Sequence, residues 1–67
     1  MQNRIGSERV RLRMTQEELA KKLGVTAKSV SQWETGRIAL PAKRLVALSD
    51  IFGCTTDWLL GLTDERL

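Results

Sequence analysis

Glycines divide this chain into short segments, and their placement constrains the fold more than any other feature. Gly24, Gly36, Gly53 and Gly61 each follow a stretch of helical periodicity, and glycine is the usual residue just past the C-terminus of a helix. No alternating run of β-branched or aromatic residues indicates a strand. A chain of 67 residues forms one domain at most. We therefore predict an all-α fold, a compact five-helix bundle.

Residues suited to helix N-termini stand where the later segments begin. Thr15, with Glu18 three residues on, forms a capping-box pattern, and Thr26 and Thr55 are good N-caps. Pro41 suits the first position of a helix. The predicted helices are about 3–13, 15–24, 27–35, 41–53 and 55–61, in a domain of residues 1–61 followed by a short tail at 62–67.

Apolar side chains recur along one face of each segment, and these faces form the predicted core. In the first helix Ile5, Val10 and Leu12 share an arc that also contains Arg9, and Gly6 weakens the helix. Three other arginines of this segment are expected in solvent, namely Arg4, Arg11 and Arg13. The remaining expected core residues are Leu19, Ala20, Leu23, Val30, Trp33, Leu45, Leu48, Ile51, Phe52, Trp58, Leu59 and Leu60.

The composition excludes several kinds of site. The chain has no histidine and one cysteine, Cys54, so we expect no disulfide framework, no zinc site and no histidine-dependent catalysis. We expect no enzymatic activity and no cofactor, and we expect Cys54 to be a small buried hydrophobe. The net charge of +3 is compatible with a nucleic-acid partner but does not establish one.

The sequence also lacks the features of a membrane or exported protein. No apolar stretch approaches the roughly 20 residues that cross a bilayer, and the N-terminal residues lead into charged ones without the apolar core of a signal peptide. We therefore expect a cytoplasmic protein with no membrane partner.

A three-residue, glycine-led turn separates the second and third segments, which is the pattern of a helix-turn-helix. Ala20 is small where the two helices must approach, Gly24 makes the turn, and Val25 and Val30 fill the angle between the helices. The same corner also occurs as plain scaffolding, so the turn alone does not decide between a structural and a DNA-binding role.

The third helix has a polar face that favours DNA binding. Ala27, Lys28, Ser31, Gln32 and Thr35 lie on the side away from the apolar residues. Lysine pairs with guanine, glutamine pairs with adenine, and an alanine methyl contacts the thymine methyl. The alternative is an ordinary solvated helix face.

Together these stretches resemble the Cro/repressor-type helix-turn-helix family, which includes the DNA-binding domains of lambdoid phage repressors. The similarity spans residues 5–61. It implies a five-helix bundle that binds operator DNA, usually as a dimer, and regulates transcription. The matching stretches are Met14 to Ala20, Gly24 to Thr26, Ser29 to Gly36 and Asp57 to Leu60.

The resemblance also implies roles for individual residues. Ala27, Lys28 and Gln32 match the base-contacting positions, with Ser31 beside them, and Ala27 departs from the long polar side chain found there in some members. Residues at phosphate-contacting positions are Gln16, Thr26, Thr35, Arg37 and Lys43.

Two further roles concern packing and assembly. Related domains have an arginine and a glutamate at the positions of Arg9 and Glu34, and we predict a buried ion pair between them. Candidate dimer contacts are Trp58, Leu59 and Leu62.

The sequence is compatible with two functions. The first is a transcriptional regulator, a repressor in our interpretation, that binds a pseudo-palindromic operator in double-stranded DNA as a homodimer. The second is an antitoxin-like module whose main partner is another protein and which also binds its own operator.

Overall fold

The computed structural model describes residues 3–67, which contain five short helices joined by turns and loops. They are α1 (Ile5–Arg11), α2 (Gln16–Leu23), α3 (Ala27–Glu34), α4 (Ala42–Phe52) and α5 (Thr56–Leu59). The predicted all-α, five-helix architecture is confirmed; the first two residues of the predicted domain lie outside the described range. No described helix combines the length and apolar character needed to cross a membrane.

Threonine caps begin three of the helices, as predicted. The hydroxyl oxygens of Thr15, Thr26 and Thr55 each accept a hydrogen bond from the backbone N–H three residues on, and Glu18 completes the capping box at Thr15. Pro41 differs from the prediction. Its backbone is extended and its carbonyl accepts the first helical bond, so it precedes α4 instead of opening it.

The core lies between all five helices, with α2 packed mainly on α3. Burial of each large aliphatic side chain contributes about 1.5–3 kcal/mol to folding. Cys54 belongs to this core, as expected, and burial raises the pKa of its thiol. The buried residues are Ile5, Leu19, Ala20, Leu23, Val30, Trp33, Leu48, Phe52, Cys54 and Leu59.

The predicted apolar face of α1 is right at Ile5 and wrong at Val10 and Leu12. Val10 and Leu12 are 62% and 38% exposed, whereas Glu8 lies on the buried face at 4% exposure. The helix ends at Arg11 and the chain turns at Arg13, whose φ is 57°. Leu12 therefore lies outside the helix, and the helical spacing used to predict its position does not apply to it. Glu8 can occupy the inner face because three side chains donate hydrogen bonds to its carboxylate.

Two arginines expected in solvent are bonded to distant parts of the chain. Arg4 Nη1 donates to the carbonyls of Trp58 (2.8 Å) and Thr63 (2.7 Å), and its guanidinium lies 3.7 Å from the Trp58 ring centroid. Arg11 Nη2 donates to the Phe52 carbonyl at 2.9 Å. Because the partners are 41 to 59 residues away, the local pattern of α1 does not reveal them.

Residues 62–67, predicted as a tail, lie against the bundle. The N–H of Thr55 donates to the Arg66 carbonyl at 3.0 Å. The Arg66 guanidinium in turn bonds the Glu8 carboxylate at 2.9 Å and the Phe52 carbonyl at 2.6 Å. This segment therefore connects α1, α4 and α5, while the domain boundary at residue 61 stays a prediction.

Candidate nucleic-acid interface

The turn between α2 and α3 is compact and well bonded. Gly24 ends α2 with a φ of 71°, and the N–H of Val25 donates to the Ala20 carbonyl at 3.0 Å. Ala20 and Val30, at 3% and 0% exposure, fill the angle between the helices. The helix-turn-helix predicted from these residues is present.

Arg44, whose role no sequence pattern indicates, supports this turn from α4. Its Nη1 donates to the carbonyl of Leu23 at 2.8 Å. Leu23 is the last residue of α2, where a carbonyl has no partner within the helix. Arg44 therefore holds α4 beside the turn. Nothing in the sequence distinguishes it from the neighbouring Lys43, because its partner is 21 residues away.

The outward face of α3 presents free hydrogen-bonding groups. Lys28 is exposed, and Ala27, Ser31 and Gln32 are half-buried. The side chains of Lys28, Ser31 and Gln32 make no hydrogen bond or ion pair with any residue in the range 3–67. The first turn of α3 has no acidic residue, so the partial positive charge of the helix N-terminus is not cancelled.

Two exposed cations follow α3 in the chain. Arg37 lies directly after the helix and Lys43 lies in the first turn of α4, and neither forms an ion pair with another described residue. Thr26, the α3 cap, accepts a bond from the N–H of Ser29 and lies 3.1 Å from its hydroxyl. Its own hydroxyl hydrogen can turn toward an added acceptor.

Thr35 and Gln16, two of the predicted phosphate contacts, already have partners. The Thr35 hydroxyl lies 3.1 Å from the Ser31 carbonyl and 3.2 Å from that of Gln32, so it must release its one hydrogen before it can donate to a phosphate. Gln16 Nε2 donates to Glu34 Oε1 at 3.4 Å and retains a second N–H hydrogen. Gln16 is therefore the better-placed donor of the two.

Arg9 and Glu34 form the expected ion pair between α1 and α3. Arg9 Nε lies 2.7 Å from Glu34 Oε2, and Nη2 lies 3.2 Å from Oε1. The two side chains are 17% and 13% exposed. The hydrogen bond to Glu34 raises the pKa of Arg9, while burial acts in the opposite direction. A mostly buried charge pair thus attaches the end of α3 to α1.

Gly6 provides the space in which the Glu34 carboxylate lies. A Cβ atom at Gly6 would be 3.0 Å from Glu34 Oε1, closer than an ordinary van der Waals contact. The residue predicted to weaken α1 therefore permits the carboxylate to approach the helix backbone.

A second charged group, the Glu8 cluster of Glu8, Arg11, Trp58 and Arg66, is absent from the sequence prediction. Glu8 Oε1 accepts bonds from Arg11 (3.0 Å) and Arg66 (2.9 Å), and Oε2 accepts bonds from Arg66 (3.1 Å) and the Trp58 indole (3.0 Å). Led by Arg66, these bonds lower the pKa of Glu8 from 4.5 to about 2, although burial opposes them. The i,i+3 spacing of Glu8 and Arg11 is its one local signal.

The structure corrects one of the three candidate dimer contacts. Leu59 is 0% exposed and belongs to the core, so it cannot meet a partner subunit without opening the fold. Trp58 is half-buried, with its ring against Arg4 and its indole N–H on Glu8. Leu62 is 60% exposed and is the most accessible of the three.

Known proteins match most of this chain. A family model described as helix-turn-helix matches residues 5–59. The chain is 44% identical over 57 residues to the HTH-type transcriptional regulator DicA of Escherichia coli (strain K12), covering 85% of the chain and 42% of DicA. It is 37% identical over 60 residues to Repressor protein C2 of Salmonella phage P22, covering 90% of the chain and 28% of that protein. It is 34% identical over 53 residues to the uncharacterized HTH-type transcriptional regulator YobD of Bacillus subtilis (strain 168), covering 79% of the chain and 47% of YobD. The chain thus spans less than half the length of each of these relatives.

Proposed function

Because the chain belongs to the helix-turn-helix family, we propose that it is a sequence-specific DNA-binding regulator of transcription, acting as a repressor. The main support is the outward face of α3, where a cation, an amide and a hydroxyl are free of partners within residues 3–67. The names of the relatives agree with this role, since two are called transcriptional regulators and one a repressor. The proposal includes no catalytic step and no cofactor.

In the proposed complex, α3 lies in the major groove and contacts base edges. Lys28 donates to guanine N7 or O6, and Gln32 forms a bidentate pair with adenine. Ser31 can either donate or accept, and the Ala27 methyl packs on a thymine methyl. Selectivity therefore depends more on Lys28 and Gln32 than on Ala27, which has no polar group.

Phosphate contacts at both ends of the motif hold the domain in register. Gln16 and Thr26 donate from the starts of α2 and α3, and Arg37 and Lys43 add positive charge after α3. Thr35 contributes once its hydroxyl leaves the carbonyls of its own helix. We place the protein in the cytoplasm, on the nucleoid when it is bound to DNA.

The proposed bound form is a symmetric dimer, because one short helix contacts too few base pairs to be selective alone. Two-fold pairing places the two α3 helices about 34 Å apart on one face of the DNA. The proposed contact surface is α5 with the segment after it, through Leu62 and the accessible edge of Trp58. Such a small surface is consistent with a free monomer that dimerises on the operator.

Selection of binding sites from a random DNA pool tests this function directly. We expect enrichment of a pseudo-palindrome with half-sites about 10 base pairs apart, centre to centre. Lys22→Ala, which removes an exposed cation from α2, is a control that should enrich the same sequence. A pool that shows no enrichment would contradict sequence-specific binding, and a lone asymmetric half-site would contradict the dimer.

A further inference from the structure

Asn3 connects the start of α1 to the end of α3. Its Nδ2 donates to the Trp33 carbonyl at 2.7 Å, and its Oδ1 accepts a bond from the N–H of Ile5 at 3.1 Å. We propose that Asn3 is a positioning residue for DNA recognition, which sets the orientation of α3 without itself contacting a base. This inference rests on the proposed function and adds a residue outside the helix-turn-helix to its specificity.

The bond to Trp33 is made at the end of α3, where backbone carbonyls lack partners within the helix. Trp33 is the next-to-last residue of α3, and its carbonyl accepts only one bond from its own segment, from the N–H of Gly36 at 3.1 Å. A carbonyl oxygen has two lone pairs, and Asn3 supplies the second donor. The side chain of Trp33 is 6% exposed, so the attached end of α3 is also fixed in the core.

Two attachments from α1 define the orientation of α3 better than one does. Arg9, in the last turn of α1, holds the side chain of Glu34, while Asn3, just before α1, holds the backbone of Trp33. Core packing through Val30 and Trp33 seats α3 on the bundle. The two attachments, which reach its end from opposite ends of α1, further limit rotation of α3 on that core.

The base-contacting positions of α3 proposed above extend from its far end to Gln32, directly before the attached residues. A rotation of α3 about its attached end therefore displaces Lys28 more than Gln32.

The variant Asn3→Asp removes the bond to the Trp33 carbonyl and keeps the bond from the Ile5 N–H. Aspartate retains the oxygen that accepts the Ile5 N–H, but it has no donor for the Trp33 carbonyl and places a negative charge at the C-terminal end of α3, which is unfavourable. The matched control is Ser7→Ala, which removes an exposed side-chain bond from α1 to the Arg4 carbonyl and does not involve α3.

The experiment measures the dissociation constants for the selected operator and for an unrelated duplex, at a temperature where every variant is folded. We expect Asn3→Asp to lower the specificity ratio, the dissociation constant for the unrelated duplex divided by that for the operator, roughly tenfold, the order of one well-placed base contact. The added negative charge weakens binding to both duplexes alike, so its effect cancels in this ratio. Ser7→Ala should retain the wild-type ratio. If Asn3 only stabilised the fold, Asn3→Asp would leave this ratio unchanged at this temperature, and at higher temperature it would weaken binding to both duplexes by the same factor through its smaller folded fraction.

An NMR spectrum of the backbone amides of the free protein provides a second test. The amide of Glu34 shares its peptide group with the Trp33 carbonyl, so loss of the Asn3 bond should shift the Glu34 amide resonance and leave those of α4 in place. No shift at Glu34, or an unchanged binding ratio in a selective protein, would overturn this inference alone. A wild-type protein that prefers no DNA sequence would overturn the proposed function and this inference together.

Discussion

Arg13 turns the chain between α1 and α2 with a left-handed backbone, at a φ of 57°. This conformation costs a residue with a Cβ atom about 1–2 kcal/mol, and glycine avoids that cost but loses more chain entropy on folding. We therefore expect Arg13→Gly to stabilise the domain by about 0.5–1 kcal/mol, measured by urea unfolding. Arg13→Ala removes the same charge and keeps the Cβ atom. Equal stability of the two variants would show that backbone strain is not the cause.

Glu8 makes folding depend on acid pH. Its pKa is about 2 in the fold against 4.5 for a free carboxyl, so the folded state binds this proton less readily than the unfolded state. The resulting stabilisation, about 3 kcal/mol, is fully present above pH 4.5 and is lost as the pH falls toward 2. Melting temperatures measured from neutral pH to pH 2 should fall steeply in the wild type. Glu8→Gln should be less stable at neutral pH and should show a shallower fall; an equally steep fall would assign the effect to other carboxylates.

Between elements, the Arg9–Glu34 pair is the main charged link from α1 to α3. An exposed pair contributes about 0–1 kcal/mol, but removing one partner of a buried pair costs about 3–5 kcal/mol, because the other charge is stranded. A core of this size rarely supplies more than about 3–5 kcal/mol, so we expect Glu34→Ala to be largely unfolded. Arg9→Met combined with Glu34→Leu should recover much of the loss. Thermal melts of the single and double variants test this, and near-wild-type melting of Glu34→Ala would contradict it.

Substitutions on the outward face of α3 and at Arg37, the cation that follows the helix, should change DNA binding in different ways. Lys28→Ala should weaken binding to the best site by about 1–3 kcal/mol and relax the preference at one base pair. Arg37→Ala should weaken binding to all sequences about equally. Titrations against the selected site and its single-base variants distinguish the two effects, and a uniform loss for Lys28→Ala would exclude a base contact.

The features predictable from the sequence are those whose cause is local. The caps at Thr15, Thr26 and Thr55 depend on residues three positions away, and the turn at Gly24 depends on backbone conformation. The Arg9–Glu34 pair crosses 25 residues; periodicity placed Arg9 on the inner arc of α1, and the family resemblance indicated its pairing with Glu34. Periodicity misassigned Val10 and Leu12 because a helix of seven residues is too short to define a face reliably.

For the molecule as a whole, the proposed phosphate contacts imply that DNA binding is sensitive to salt. A dimer that makes about 6–10 phosphate contacts should lose roughly 10³–10⁵ in affinity between 50 and 200 mM salt, because each contact releases counterions. Titrations of the best duplex at several salt concentrations measure the slope, which Arg37→Ala should reduce. Binding that barely changes over this range would count against the proposed function.

The Glu8 cluster has a consequence for the order of events during protein synthesis. Arg66, the main partner of Glu8, is 58 residues further along the chain, so at about 5–20 residues per second it is made roughly 3–12 s later. Until then, α1 cannot bury its inner face without leaving a carboxylate short of donors. We therefore expect the Glu8 face of α1 to be buried only after the segment that follows α5 has been synthesised.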